Sequence, residues 1–417
     1  MISKDSPYHP RQILRKIRAI VTRRFGYLAK TEILAVTGSC GKTSATHFLG
    51  KILSDCGSCY VGVHRNGAKA IRKNMRKMRT PYRYLVQEAG IASPGDMKKI
   101  VSVLMPHVGI VTTIGLDHYT SFRTLEGTAA EKGLLIESLP KTGVAVLNVD
   151  DPHVLAMGQR TRAKVMTYGF SEQAEVRGSD VRAIWPEGLA MTVTYQGESI
   201  RLETALFGDL LATSLLAAVA GALAVGIPLA QCGVSLKGVK SFPSRLSIHQ
   251  GPGGSWFLKD TVKAPYWSVP KVVALMKDVA APRKTIVFGS FSDTGGADSR
   301  RYRAMARQAL EVADRVVFVG DKSAYVRKML TPELENRLFT IDSMESACRF
   351  LAESCVENEV VLLKSNSDIH LERTFCGLKD GFRCWKETCK RKIDCETCSE
   401  SGLLVAGNLS DSQSEKR

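Results

Sequence analysis

Short apolar runs separated by longer amphipathic stretches set the rhythm of this chain. ILAV at 33–36, then CYVGVH, YLVQEAG, VGIVTTIG and GVAVLNVD, each have the length of a buried strand, and the stretches near 94–104 and 125–138 carry helical spacing. Strands too apolar to have a wet face, alternating with helices, predict a doubly wound, mainly parallel sheet. Residues 176–207 read as short strands with turns, an antiparallel excursion. A second alternating series begins at Trp256: WFLKDTV, a helix from about Ser268, KTIVFGS, a helix from about Arg300, RVVFVG and EVVLLKS, which predicts a second, Rossmann-like α/β unit.

One apolar run tests this reading. No charged residue occurs between Asp209 and Lys237, a span long enough to cross a membrane. Yet LLATSLLAAVAGALAVGIP is rich in Ala and Gly, and Gly226 with Pro228 ends it as a buried helix ends. The pattern therefore divides the chain into a basic amphipathic segment (1–30), a phosphate-loop domain (31–246), a Rossmann-like domain (247–375) and a Cys-rich polar tail (376–417) that turns Ser-rich and disordered from about Ser401.

Length and composition agree: 417 residues with 44% hydrophobic content suffice for two cores. The net charge of +17 is uneven, because residues 1–30 hold eight Lys and Arg against Asp5, and residues 61–85 hold eight against none. In the first segment Ile13, Leu14, Ile17, Ile20 and Val21 form an apolar stripe among Arg11, Arg15, Lys16, Arg18, Arg23 and Arg24. Residues 11–25 thus suit peripheral contact with the anionic inner face of a membrane, or a helix docked on its own domain with a solvated basic face. They lack the apolar core of a secretory signal. Eleven cysteines without such a signal point to a reducing, cytoplasmic location and free thiols. Five of them, Cys376, Cys384, Cys389, Cys395 and Cys398, crowd the last part, where either a Zn2+ site or a loosely ordered tail fits the spacing. Nothing in the pattern fixes an oligomeric state.

The chemistry concentrates in ILAVTGSCGKTSATHFLG. A strand runs into Gly38 and Ser39, and Gly41-Lys42-Thr43-Ser44 opens a helix, the order that builds a phosphate cradle. Glycines let backbone N–H groups approach an anion, Lys42 reaches terminal phosphates and the Thr43 hydroxyl suits Mg2+. ATP is the expected ligand. An ordinary Walker A loop has four residues between its first glycine and the GK pair, whereas only Ser39 and Cys40 separate Gly38 from Gly41.

That shorter TG-x-x-GKT loop after an apolar strand resembles the Mur ligase family, ATP-dependent enzymes that join a carboxylate to an amine. The resemblance covers roughly residues 31–375 and implies further site residues. Glu88, Gly90 and Gly95 match an E-x-G-x-x-x-x-G segment of the dipeptide-adding members, with Glu88 a magnesium ligand. His118 stands where the family has a metal-binding histidine, and Lys132, in AAEKGLL, where members carry a carbamylated lysine. Asn148 and Asp150 match N-x-D-D, Arg245 matches a linker arginine that contacts ATP phosphates, and Asp260 matches an aspartate that meets the nucleotide.

Departures are equally specific. Lys263, Pro265 and Tyr266 replace the Asn, Asn and Pro that follow that aspartate, the His-Asn pair near Asp209 is missing, and Lys364 to Ser367 match a K-G-S-R segment only in part. About 30 residues precede the first strand, fewer than the UDP-sugar-binding domain of the cell-wall ligases requires. In this the chain looks like the folylpolyglutamate, poly-γ-glutamate or cyanophycin synthetase branches.

The expected activity is an ATP-dependent ligase that forms an amide from a carboxylate and an amine through an acyl phosphate, releasing ADP and phosphate. The partners expected are a small-molecule or polymeric acidic acceptor, drawn by the basic stretch 65–83, and an amine or amino acid. A family-derived nucleotide-binding protein without catalysis is one alternative. A nucleic-acid-associated ATPase is another, but the basic stretches lack interleaved aromatics and aromatic content is 7%, so no nucleic acid is expected.

Overall fold

The computed structural model describes residues 30–64, 66–78, 80–116, 119–293, 297–386, 389, 391 and 394–403. The basic helix expected at 11–25, His118 and the stretch from 404 lie outside them. Two compact units result. The first comprises Met1–Val181, Ala190–Glu203 and Leu211–Lys237, the second Arg182–Leu189, Thr204–Leu210 and Gly238–Arg417. The division falls at 237/238 rather than 246/247, and residues 376–403 belong to the second unit instead of forming a separate tail. Ser401, the expected start of disorder, is fully buried.

In the first unit β1 (Glu32–Thr37) leads through the glycine loop into α1 (Lys42–Cys56), followed by β2 (Cys59–Gly62), α2 (Ala68–Lys77), β3 (Tyr84–Glu88), α3 (Asp96–Leu104), β4 (Val108–Val111), α4 (Leu125–Glu137), β5 (Val144–Asn148) and β6 (Lys164–Gly169). The sheet order is β2-β3-β1-β4-β5-β6, continued by β7 (Val176–Ile184), β8 (Gly188–Tyr195) and β9 (Glu198–Thr204). β1 runs parallel to β3 on one side and β4 on the other. The chain order therefore reverses beside β1, and the crevice at the carboxyl ends of β1, β3 and β4 is where such sheets bind ligands.

Strand periodicity explains the layers. Ile33 and Ala35 join a core with Leu85, Ile100, Leu104, Leu135 and Ile136, while Leu34 and Val36 are buried on the opposite face. The Ala-rich run forms α5 (Ala212–Ala224), buried against that sheet as its punctuation predicts, where Gly221 leaves room for Ile110 and Leu49. Among the described residues no helix is long and apolar enough to cross a membrane. The basic stretch around 65–83 contains a helix, α2, held by buried Ile71 with Lys69, Arg72, Lys73, Arg76 and Lys77 exposed.

The second unit is a six-stranded sheet of order β10-β11-β15-β12-β13-β14, with β10 at Ser247–Gln250, β11 at Trp256–Asp260, β12 at Lys284–Phe288, β13 at Arg315–Val319, β14 at Leu338–Ile341 and β15 at Val360–Lys364. Only β10 is antiparallel to its neighbour. At the edge of this core Glu359 is fully buried; its carboxylate accepts from Thr285 (2.5 Å), Arg283 (2.5 Å) and Arg315 (2.6 Å). Burial resists its ionisation, but these bonds and the Val356 N–H outweigh it, so its pKa lies below the ordinary carboxylate value. A lowered folded pKa contributes stability that is present above the unfolded value and lost as pH falls through the folded one. Glu359→Gln leaves Arg315 buried without its anion and is expected to cost about 3–5 kcal/mol at neutral pH. Denaturant titrations at pH 7 and pH 3 check this, the difference between variant and parent shrinking at the lower pH.

Candidate functional site

The loop after β1 is shaped by close approaches. Gly38 has φ 145° and Gly41 φ 79°, and a Cβ on Gly38 would run into Thr112 Oγ1. The loop is tied to the end of β4: Ser39 N–H donates to Thr113 O (2.7 Å), Gly115 N–H donates to Ser39 Oγ (2.9 Å) and Thr112 Oγ1 donates to Cys40 O (2.5 Å). α1 begins at Lys42 with no side-chain cap, and Ser44 is buried in its first turn, so the helix presents its N-terminal N–H groups and positive dipole end at the loop.

Two lysines meet there. Lys42 Nζ donates to Gly38 O at 2.5 Å and Lys132 Nζ to the same oxygen at 2.9 Å. Lys132 comes from the middle of α4, 94 residues later in the chain, and is fully buried. Its neighbour Glu131 fixes α4 against α3, accepting from Gly95 N–H (2.9 Å) and Met97 N–H (2.8 Å) at the α3 N-terminus. Both side chains thus converge on one backbone carbonyl of the loop.

Across the crevice, at the end of β3, Glu88 is buried and accepts from Thr43 Oγ1 (3.0 Å) and from Asn66 Nδ2 (2.8 Å). A hydroxyl and a carboxylate in contact are hard oxygen donors suited to Mg2+. Gly90 is required because a Cβ would strike the Asn66 side chain, and Gly95 because its φ of 84° is left-handed.

The sequence-predicted set is therefore brought together in part. Gly38, Ser39, Gly41, Lys42, Thr43, Ser44, Glu88 and Lys132 line one crevice. Asn148 reaches it indirectly: its amide donates to Thr112 O (3.0 Å) and braces β4. Asp150 is turned to a structural task, its two oxygens accepting from Phe170 N–H (2.7 Å) and Ser171 N–H (2.9 Å), while Asp151 holds Ile114 N–H (2.7 Å). Arg245 and Asp260 lie in the second unit. Asp260 pairs with Lys364 (2.7 Å), which also donates to Lys263 O (2.6 Å). Arg245 Nε is buried without a hydrogen-bond partner, which suits an anion. Thr112, Asn66, Glu131 and Ser214, whose hydroxyl lies against Gly41 O at 3.4 Å, complete the crevice and were not singled out by any local pattern.

Residues 36–222 match the Mur ligase middle domain and residues 244–367 the Mur ligase glutamate ligase domain. The UDP-N-acetylmuramoyl-tripeptide--D-alanyl-D-alanine ligase of Escherichia coli is 28% identical over 299 residues, which span 70% of this chain and 65% of that protein. The UDP-N-acetylmuramoylalanine--D-glutamate ligase of Geobacter metallireducens is 26% identical, covering 94% of this chain and 80% of its own length. The chain thus spans just under two thirds of the first of these relatives. Among solved structures, MurF from Acinetobacter baumannii superposes with a TM-score of 0.77 at 21% identity, covering 85% of this chain and 78% of its own. MurF from Thermotoga maritima in complex with ADP superposes at 0.74 and 17% identity, covering 86% and 82%. These likenesses show the fold.

Proposed function

This chain belongs to the Mur ligase family, whose two domains match about three quarters of it, and we propose that it is an ATP-dependent ligase joining a carboxylate to an amine through an acyl phosphate. The observation that carries the reading is the crevice itself, where Lys42 and Lys132 converge on Gly38 O while Thr43 meets Glu88. Loop N–H groups and Lys42 would hold the ATP phosphates, and the Thr43 hydroxyl and Glu88 carboxylate would hold Mg2+. Bound magnesium would neutralise phosphate charge while a substrate carboxylate attacks the γ-phosphorus.

Lys132 is read as carbamylated. The ammonium first gives up a proton, the neutral amine then adds to carbon dioxide with an N–C bond formed and a second proton lost, and a buried cation beside Lys42 becomes an anionic oxygen donor. The supporting observation is that Lys132, fully buried, brings its Nζ to the same loop carbonyl as Lys42, beside the proposed phosphate cradle.

The carboxylate substrate is proposed to be acidic and phosphorylated or polyanionic, because α2 exposes five basic side chains from the loop that also carries Asn66 to Glu88. The named relatives act on UDP-N-acetylmuramoyl substrates; whether this chain takes such a group is decided by assay. Purified protein is given ATP-Mg with pairs of candidate acids and amines, and phosphate release and product mass are followed. Phosphate release that requires both substrates and yields a product joined with loss of water supports the reading. ATP hydrolysis indifferent to every pair, or none at all, contradicts it.

A further inference from the structure

We propose that Cys384, Cys389, Cys395 and Cys398 bind one structural zinc ion that fastens residues 376–403 to the second unit. Eleven cysteines are free thiols, and these four line a single cavity with His370 and Arg373. The spacing C-x4-C-x5-C-x2-C places all four ligands within 15 residues, which suits the tetrahedral thiolate sites of structural zinc.

The segment's secondary structure sharpens the case. From 378 to 403 the described residues hold one regular element, the single turn Cys395–Thr397, yet Cys384, Cys395, Cys398 and Ser401 are buried. A stretch with so little backbone pairing needs a staple, and metal binding supplies folding free energy.

Charge gives an independent argument. Arg373 is 2% exposed and has no carboxylate partner among the described residues; its Nε donates to Cys395 Sγ at 3.4 Å and its Nη2 is buried without a hydrogen bond. A buried guanidinium requires an anion nearby. Arg391 Nη1 reaches Cys398 Sγ at 3.9 Å, and His370 Nδ1 lies 3.6 Å from Cys395 Sγ while held by Glu372 at 2.8 Å. Four thiolates around Zn2+ would carry a net charge of −2, which Arg373 would offset together with Arg391, itself shared with Glu400 (2.5 Å), and N–H groups directed at coordinated sulfur are the outer-shell partners such sites use. Lys259, buried, pairs with Glu396 between the two last ligands, so the site is tied to β11.

The test is metal content, which does not depend on the ligase reading. Full-length protein purified without chelator is analysed by plasma mass spectrometry, with about one zinc per chain expected. Cys389→Ser and Cys398→Ser are expected to lose the ion, whereas Cys355→Ser, in the same unit but outside the cavity, keeps it. Should the serine variants fail to fold, cobalt(II) exchanged into the unaltered protein decides: intense thiolate-to-cobalt absorption with tetrahedral visible bands supports the site. Protein that is metal-free as purified and takes up no cobalt overturns it, as does iron with labile sulfide.

Discussion

Lys42→Ala is expected to lower ATP-dependent turnover by about a thousandfold, roughly 4 kcal/mol of transition-state stabilisation, while the protein melts at the same temperature or a higher one. Lys42 Nζ lies at the loop with Lys132 Nζ on the same carbonyl oxygen, where its charge would meet the terminal phosphates, and alanine is well accommodated in the first turn of α1. Steady-state turnover and a thermal melt on one preparation check it. Turnover within tenfold of the parent, or a large fall in melting temperature, would contradict the assignment.

Lys132→Ala is expected to reduce turnover by at least about a hundredfold, with partial recovery in a short-chain carboxylate such as acetate. The side chain is fully buried and reaches Gly38 O from α4; if its working form is the carbamate, alanine leaves a hole where a small carboxylate can supply the missing oxygens. Lys132→Arg retains the positive charge, cannot be carbamylated in this way and is expected to gain nothing from acetate. In 13C-labelled bicarbonate the parent should show a carbamate carbonyl resonance that Lys132→Ala lacks. A parent fully active after exhaustive removal of carbon dioxide, with no such resonance, would show that lysine itself is the working form.

The strands and the cradle were legible because their signals are local. A run such as YLVQE carries its own burial, and Gly38, Gly41 and Lys42 lie within five residues on a turn whose backbone demands are specific. Residues that complete the crevice gave no such signal. Thr112, Asn66 and Ser214 are small polar side chains in unremarkable stretches, and their importance lies in what the fold brings against them: the Gly38 backbone, Glu88 and the Gly41 carbonyl. Asp150 shows a second demand on a legible motif. The motif around it was legible, but an Asp after a strand satisfies turn N–H groups as readily as a ligand, and the Phe170 and Ser171 amides claim it. Glu131 was overshadowed by Lys132 although it is the residue that positions α4. Arg182–Leu189 and Thr204–Leu210 join the second unit through contacts that no local periodicity reports.

The Gly38–Thr43 loop with Lys132 and Glu88 is expected to form a Mg-ATP site. Calorimetric titration of the unaltered protein with Mg-ATP tests it most directly. Saturable binding with a dissociation constant below about 1 mM, weakened in Glu88→Gln when magnesium is present and little changed when it is chelated, is the predicted result. No binding of Mg-ATP by correctly folded protein at several times that concentration would contradict the account.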